Sequence, residues 1–146
     1  MKNQDYKAVI QIHSSAEKAF DSINKVSDWW SADLEGDPEK ENGVFTVHFG
    51  EVFITLKVTE LVPFKKIRWY VIDCHKPWLK NKREWKDTEM IWEISAAKNK
   101  TEIHFTHIGL VPEVECYEGC EKAWEFYIKE SLFKLLTAGK GIPELA

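Results

Sequence analysis

Only three of the 146 residues are cysteines, Cys74, Cys116 and Cys120, an odd and small number for a chain long enough to fold around one hydrophobic core. A disulfide framework is thereby excluded as the organising principle, and a reducing compartment is expected. No apolar run approaches the ~20 residues that a membrane-spanning helix needs. The polar stretch Met1-Lys2-Asn3-Gln4-Asp5 leads directly into an alternating segment with no signal-peptide h-region, so a cytoplasmic protein without membrane insertion is expected. Positive charge is not in excess: 20 Lys and Arg stand against 24 Asp and Glu, and a net charge of −4 gives no general attraction for nucleic acid or an anionic membrane. A Gly-rich phosphate loop, a nucleophile elbow, an HExxH helix and paired carboxylates at helical spacing in an apolar run are all missing, so no motif assigns a catalytic residue, a metal or a cofactor.

Aromatic side chains, by contrast, are abundant: 13% of the chain, with seven tryptophans. Such a surplus of large flat rings suggests a wide core or an aromatic-lined pocket. Residues 6–13 alternate, with Ala8, Ile10 and Ile12 on one face and Lys7, Gln11 and His13 on the other, which predicts a half-buried strand. A helix follows, with Ser14 and Glu17 as a capping box and Ala16, Ala19, Phe20 and Ile23 at helical spacing. A short helical turn over 26–30 ends in the adjacent indoles of Trp29 and Trp30, before a polar loop over 31–42. Strand patterns then run over 43–49, 52–62, 66–74, 88–95 and 101–109, joined mostly by hairpin-length links that predict a meander. The link over 75–87 is longer than a hairpin needs. Near the end, Cys120, Ala123, Trp124, Tyr127, Ile128, Ser131, Leu132, Leu135 and Leu136 mark one face of a helix of about five turns, with Gly139 after it as the stop.

The expected fold class is α+β: a curved antiparallel sheet of six or seven strands wrapped around a long C-terminal helix, with one or two short helices after the first strand. This element order, the run Ile10-Gln11-Ile12 through Ala16-Glu17-Lys18-Ala19-Phe20, the Trp29-Trp30 pair, Thr106-His107-Ile108-Gly109-Leu110, and the ending Trp124, Ser131-Leu132 and Thr137-Ala138-Gly139-Lys140-Gly141-Ile142-Pro143 resemble the START-like (SRPBCC, helix-grip) superfamily. Within it the chain looks most like the bacterial branch named after the activator of the heat-shock-protein-90 ATPase. The resemblance covers nearly the whole chain and implies one START-like domain over 1–146. It also implies a ligand cavity between sheet and helix, and, through the family name alone, a chaperone partner in a stress response. Members include lipid carriers, hormone receptors and aromatic cyclases, so the fold by itself selects no activity.

Candidate ligand-binding residues are Trp30, Trp69, Trp92, His107, Trp124 and Ile128, on opposed elements expected to face inward. For the indoles two readings stand, solid core or the wall of an apolar pocket. His107 shares a strand face with Ile103 and Phe105, which suits a hydrogen-bonded core residue, a polar anchor for a ligand headgroup, or a proton-transfer group paired with Asp73 or Glu93. Trp78 and Trp85, spaced with Lys82 at i, i+4 and i+7 in the 75–87 loop, are candidates for a lid over a cavity mouth with the loop's cations left in water; a solvated hairpin extension is the alternative. Cys116 and Cys120 form one close pair, too few ligands for a structural zinc site; a reversible disulfide or simple packing at the helix start are the other readings. The function expected is non-catalytic binding of a small hydrophobic or amphipathic molecule, without cofactor and without nucleic acid. The alternatives are a cyclase- or hydrolase-type enzyme using His107, or a chaperone-interacting module.

Overall fold

A computed structural model describes residues 5–143; residues 1–4, part of the polar lead-in noted above, and 144–146 lie outside the described residues. Seven strands form one antiparallel sheet: β1 (Tyr6–Ile12), β2 (Leu34–Gly36), β3 (Val44–Phe49), β4 (Val52–Val62), β5 (Lys66–His75), β6 (Glu89–Ala97) and β7 (Lys100–Ile108). They lie in the order β1-β7-β6-β5-β4-β3-β2, a meander whose first strand closes back onto the last. The register is set by apolar partners on one face, with Ile10 opposite Ile103, Trp92 opposite Phe105 and Val58 opposite Trp69, because a slip of one residue would turn every one of these side chains to water. Register shifts at Thr55/Leu56 and Val58/Glu60 mark bulges that bend β4.

Between β1 and β2 lie α1 (Ala16–Asn24) and α2 (Val26–Trp29). Ser15, not the expected Ser14, caps α1, accepting from the Lys18 backbone N–H at 3.0 Å. Ser14 is engaged elsewhere, its carbonyl accepting from the Thr101 hydroxyl at 2.6 Å. The C-terminal helix is built of α3 (Tyr117–Phe126), a π-helical stretch (Tyr127–Leu132) and α4 (Phe133–Ala138), and ends at Gly139 in the left-handed conformation, φ 82°. No helix of the described residues is long and apolar enough to cross a membrane.

The helix is tethered to the sheet side along its length. The Tyr6 hydroxyl of β1 donates to the Glu125 carboxylate, Trp124 Nε1 donates to His107 of β7, and Ser131 Oγ donates to the Trp29 carbonyl at 2.6 Å. Between helix and sheet lies an almost continuous aromatic cluster. Trp30 stacks on Trp69 with ring centroids 5.8 Å apart, Trp92 packs on Trp29, Trp69 and Phe105, and Phe105 meets Trp124 at 4.6 Å. The interior that a helix-grip arrangement encloses is therefore filled here largely by rings.

Candidate functional site

The predicted site residues separate into two groups. Trp69, Trp92, His107 and Ile128 are sealed in the core. Trp30 and Trp124 are also buried but form part of the wall of an opening at one end of the packed interior. Phe49 of β3, Val52 and Ile54 of β4, Lys76, Trp78 and Trp85 of the 76–88 connection, and Ala123 and Tyr127 of the helix complete its wall, around a volume of about 280 Å³. A second cleft of about 300 Å³ adjoins it, sharing Lys76, Trp78, Trp85 and Ala123 and continuing past Leu79 to Cys116 and Cys120. A hollow of about 520 Å³ beside α1 is larger, but its wall of Ser15, Glu17, Lys18, Asp21, Lys25 and Asp28 offers charged and polar groups rather than an apolar enclosure.

The 76–88 connection is a series of turns, not the single helical segment that the spacing of Trp78, Lys82 and Trp85 suggests. Its turns are closed by Lys76 N–H donating to the Lys82 carbonyl at 2.8 Å and Leu79 N–H donating to the Lys76 carbonyl at 3.1 Å. Two carboxylates fix it to the loop before α3. Glu84 accepts from the backbone N–H groups of Glu115 and Cys116, at 3.2 and 2.9 Å, and Glu115 accepts from the Lys80 N–H at 2.9 Å. The two indoles thus divide the work: Trp85 is 4% exposed and packs inward, whereas Trp78 is 60% exposed and stands at the rim.

His107 is held from both sides. The Trp124 indole can only donate, so at 3.1 Å the His107 Nδ1 accepts; Nε2 then carries the proton and donates to Thr88 Oγ1 at 2.9 Å, which donates onward to the Trp85 carbonyl at 2.6 Å. This relay joins the helix, the sheet and the 76–88 connection. Complete burial pushes the imidazole pKa down to about 3, and the nearby Lys76 cation pushes the same way. Asp73 and Glu93, the candidate proton-transfer partners, are elsewhere: Asp73 takes the Arg83 guanidinium at 2.6 Å, and Glu93 is exposed opposite His104. A fully engaged, neutral, sealed imidazole does not exchange protons with a molecule in the cleft.

Lys76 is the residue that sequence reasoning missed. It is 7% exposed, and its ammonium lies 4.0 Å from the Trp85 ring centroid and 5.4 Å from that of Trp78. Burial pushes its pKa down to about 8, partly opposed by Cys74 and Glu84. Its position between β5 and Pro77-Trp78 carried no signal of burial, since a lysine in a basic loop reads as solvated. Ala123 lies on the predicted apolar stripe, and its exposure beside fully buried Trp124 marks where the helix covers nothing.

Cys116 and Cys120 are joined by a disulfide at the start of α3, with Cα atoms 5.6 Å apart, and Cys74 is free and buried. That spacing lies within the range a disulfide spans, with Cys116 at the N-cap of α3 and Cys120 in its first turn. No group of His, Cys, Asp and Glu among the described residues could hold a metal ion.

No family model matches the sequence, and no curated protein matches it. Solved structures do. The Aha1 dimer from Colwellia psychrerythraea is 24% identical, with a TM-score of 0.77 over 94% of this chain and 98% of that one. SSP2350 from Staphylococcus saprophyticus is 12% identical, with a TM-score of 0.71 over 97% and 98%. DynU16, from the dynemicin biosynthetic locus, is 14% identical with a TM-score of 0.71, over 96% of this chain and 49% of that one. A seven-stranded antiparallel meander closed by a long C-terminal helix, matched over nearly its full length by an Aha1 structure, is the helix-grip fold.

Proposed function

We propose that this protein binds, without transforming it, a small apolar or amphipathic molecule in the cleft between the 76–88 lid, the β3–β4 hairpin and the C-terminal helix. The observation that carries this reading is the composition of the cleft wall: Trp30, Phe49, Trp78, Trp85, Trp124 and Tyr127 converge on one opening of about 280 Å³, at the small end of ligand pockets. The proposed ligand lies at the mouth of the fold and not within its core, which the indole cluster occupies. The sealed state of His107 disfavours proton-transfer chemistry at this site. A chaperone-partner role draws on the likeness of fold alone, and we do not propose it.

The test is a titration with N-phenyl-1-naphthylamine, a neutral dye that brightens in apolar surroundings, read together with the unfolding midpoint. Saturable binding that raises the midpoint in proportion to ligand excess is expected. Ala123→Phe places a ring in the cleft from an exposed helix position, and should abolish dye binding while leaving the ligand-free midpoint within a few degrees. Dye binding that Ala123→Phe leaves intact places the ligand elsewhere and overturns the proposal.

A further inference from the structure

The cleft wall contains a cation without an ion-pair partner. Among the described residues no carboxylate lies within ion-pair distance of the Lys76 ammonium and no acceptor bonds it. The acids around it are otherwise engaged: Glu84 accepts from the backbone N–H groups of Glu115 and Cys116, and Glu115, on the wall of the second cleft, accepts from the Lys80 N–H. The indole Nε1–H of Trp85 is also buried with no acceptor, but so are those of Trp69 and Trp92 in the core, and the cation alone marks the cleft. A cation over an aromatic face recovers only part of the hydration it has lost, and an unpaired buried donor has lost all of it. The ammonium, on the wall of both clefts, would be satisfied by an acceptor entering from there.

We infer that the occupant of the cleft is an amphipathic anion, an apolar or aromatic body carrying one carboxylate or sulfonate-like headgroup that pairs with Lys76. The inference rests on the cleft reading above and adds the ligand's charge and its anchor. Both clefts border on Lys76, so a headgroup at the ammonium leaves its apolar body free to lie along Trp30, Phe49 and Tyr127 or along Leu79 and the disulfide. Trp78 at the rim then covers the body from the solvent side. Burial lowers the lysine's pKa to about 8 yet leaves it mostly protonated at neutral pH, as the pairing requires.

A matched pair of dyes separates charge from apolar contact. 8-Anilino-1-naphthalenesulfonate is N-phenyl-1-naphthylamine with a sulfonate added. The anionic dye should bind about tenfold or more tightly than the neutral one, the scale of a charge-assisted hydrogen bond. Lys76→Met should abolish that preference while changing the neutral dye's affinity by less than about twofold, Lys76→Arg should keep it, and Lys80→Met, at an exposed cation of the same segment, should leave it unchanged. Retained circular dichroism and unfolding midpoint confirm that the variants fold, and the comparison of dyes on the unaltered protein needs no variant. Equal affinities, or a preference that survives Lys76→Met, overturn the anion while the cleft stands on the neutral dye and Ala123→Phe. Failure of both dyes overturns the cleft and the anion together.

Discussion

His107 stays neutral because every feature around it opposes a second proton: the ring has no exposure, its Nδ1 already accepts from Trp124, and a lysine cation lies nearby. The unfolded chain has none of these constraints, so its imidazole titrates near 6.5 while the folded one is pushed down to about 3. Between those values the unfolded state binds more protons, and stability must fall as the pH falls. The contribution is fully present above about pH 6.5 and is lost progressively below it, at up to ~1.4 kcal/mol per pH unit. The carboxylates held low, Asp73 by the Arg83 guanidinium, Asp87 by Tyr70 and Lys86, Glu102 by His104 and Gln11, and Glu125 by its bonds to Lys129 and Tyr6, add acid sensitivity only below their ordinary values of 3.8 and 4.5. Urea unfolding at pH 6.5 and 5.0 should therefore show a loss of about 1–2 kcal/mol, and His107→Gln should flatten that slope whatever it does to absolute stability. An equal slope in the variant would mean that the relay is not what keeps this histidine uncharged.

At the scale of elements, the C-terminal helix is held by a few directional bonds as much as by its apolar stripe. Ser131, in the π-helical stretch, donates to the Trp29 carbonyl at 2.6 Å and accepts from the Ile142 N–H at 2.8 Å, so one hydroxyl joins α2, the helix and the segment after it. Ser131→Ala strips the buried Trp29 carbonyl and the part-buried Ile142 N–H of their bonds and should cost about 1–3 kcal/mol in denaturant unfolding, several times the effect of Thr137→Ala, whose exposed hydroxyl only returns to the Phe133 carbonyl. A loss for Ser131→Ala no greater than for Thr137→Ala would show that the stripe alone positions the helix. The stripe was legible in the sequence because Trp124, Ile128, Leu132, Leu135 and Leu136 repeat at three and four residues. The period-two strands were legible for the same reason, and β1 reproduces that alternation of buried and exposed positions residue by residue. What could not be read was short or long-range. Leu34–Gly36 is a strand only because it pairs with β3, its three residues being too few for a pattern, and the π-helical turn changes no residue type. Cys116 and Cys120 carried the spacing of several arrangements, and the disulfide is seen only once the start of α3 brings their Cα atoms to 5.6 Å.

At the scale of the whole molecule, the packed interior and the proposed site make opposite demands on the same residue type. Seven tryptophans in the sequence pointed to a core or a pocket without dividing them; the fold assigns Trp29, Trp69 and Trp92 to the core, makes Trp30, Trp85 and Trp124 the boundary, and leaves Trp78 at the rim. That division depends on where the 76–88 segment folds back, which rests on the bonds from Glu84 and Glu115 to backbone distant in sequence, and no local pattern encodes it. It also separates stability from binding in a measurable way. Trp85 stacks on Trp124, meets the His107 ring edge-on at 4.6 Å and carries the Lys76 cation, so truncating it should cost about 3–5 kcal/mol, as for other buried indoles. Trp78 is 60% exposed, and a surface truncation of that kind should change stability by no more than ~0.5 kcal/mol. If Trp78 covers a bound molecule, however, its loss exposes one side of the ligand to water, and Trp78→Ala should weaken N-phenyl-1-naphthylamine binding about three- to tenfold, chiefly through faster dissociation. Stopped-flow release of the dye from the two proteins measures this directly. Unchanged release with unchanged stability would make Trp78 a bystander and overturn the proposal that it covers a bound molecule.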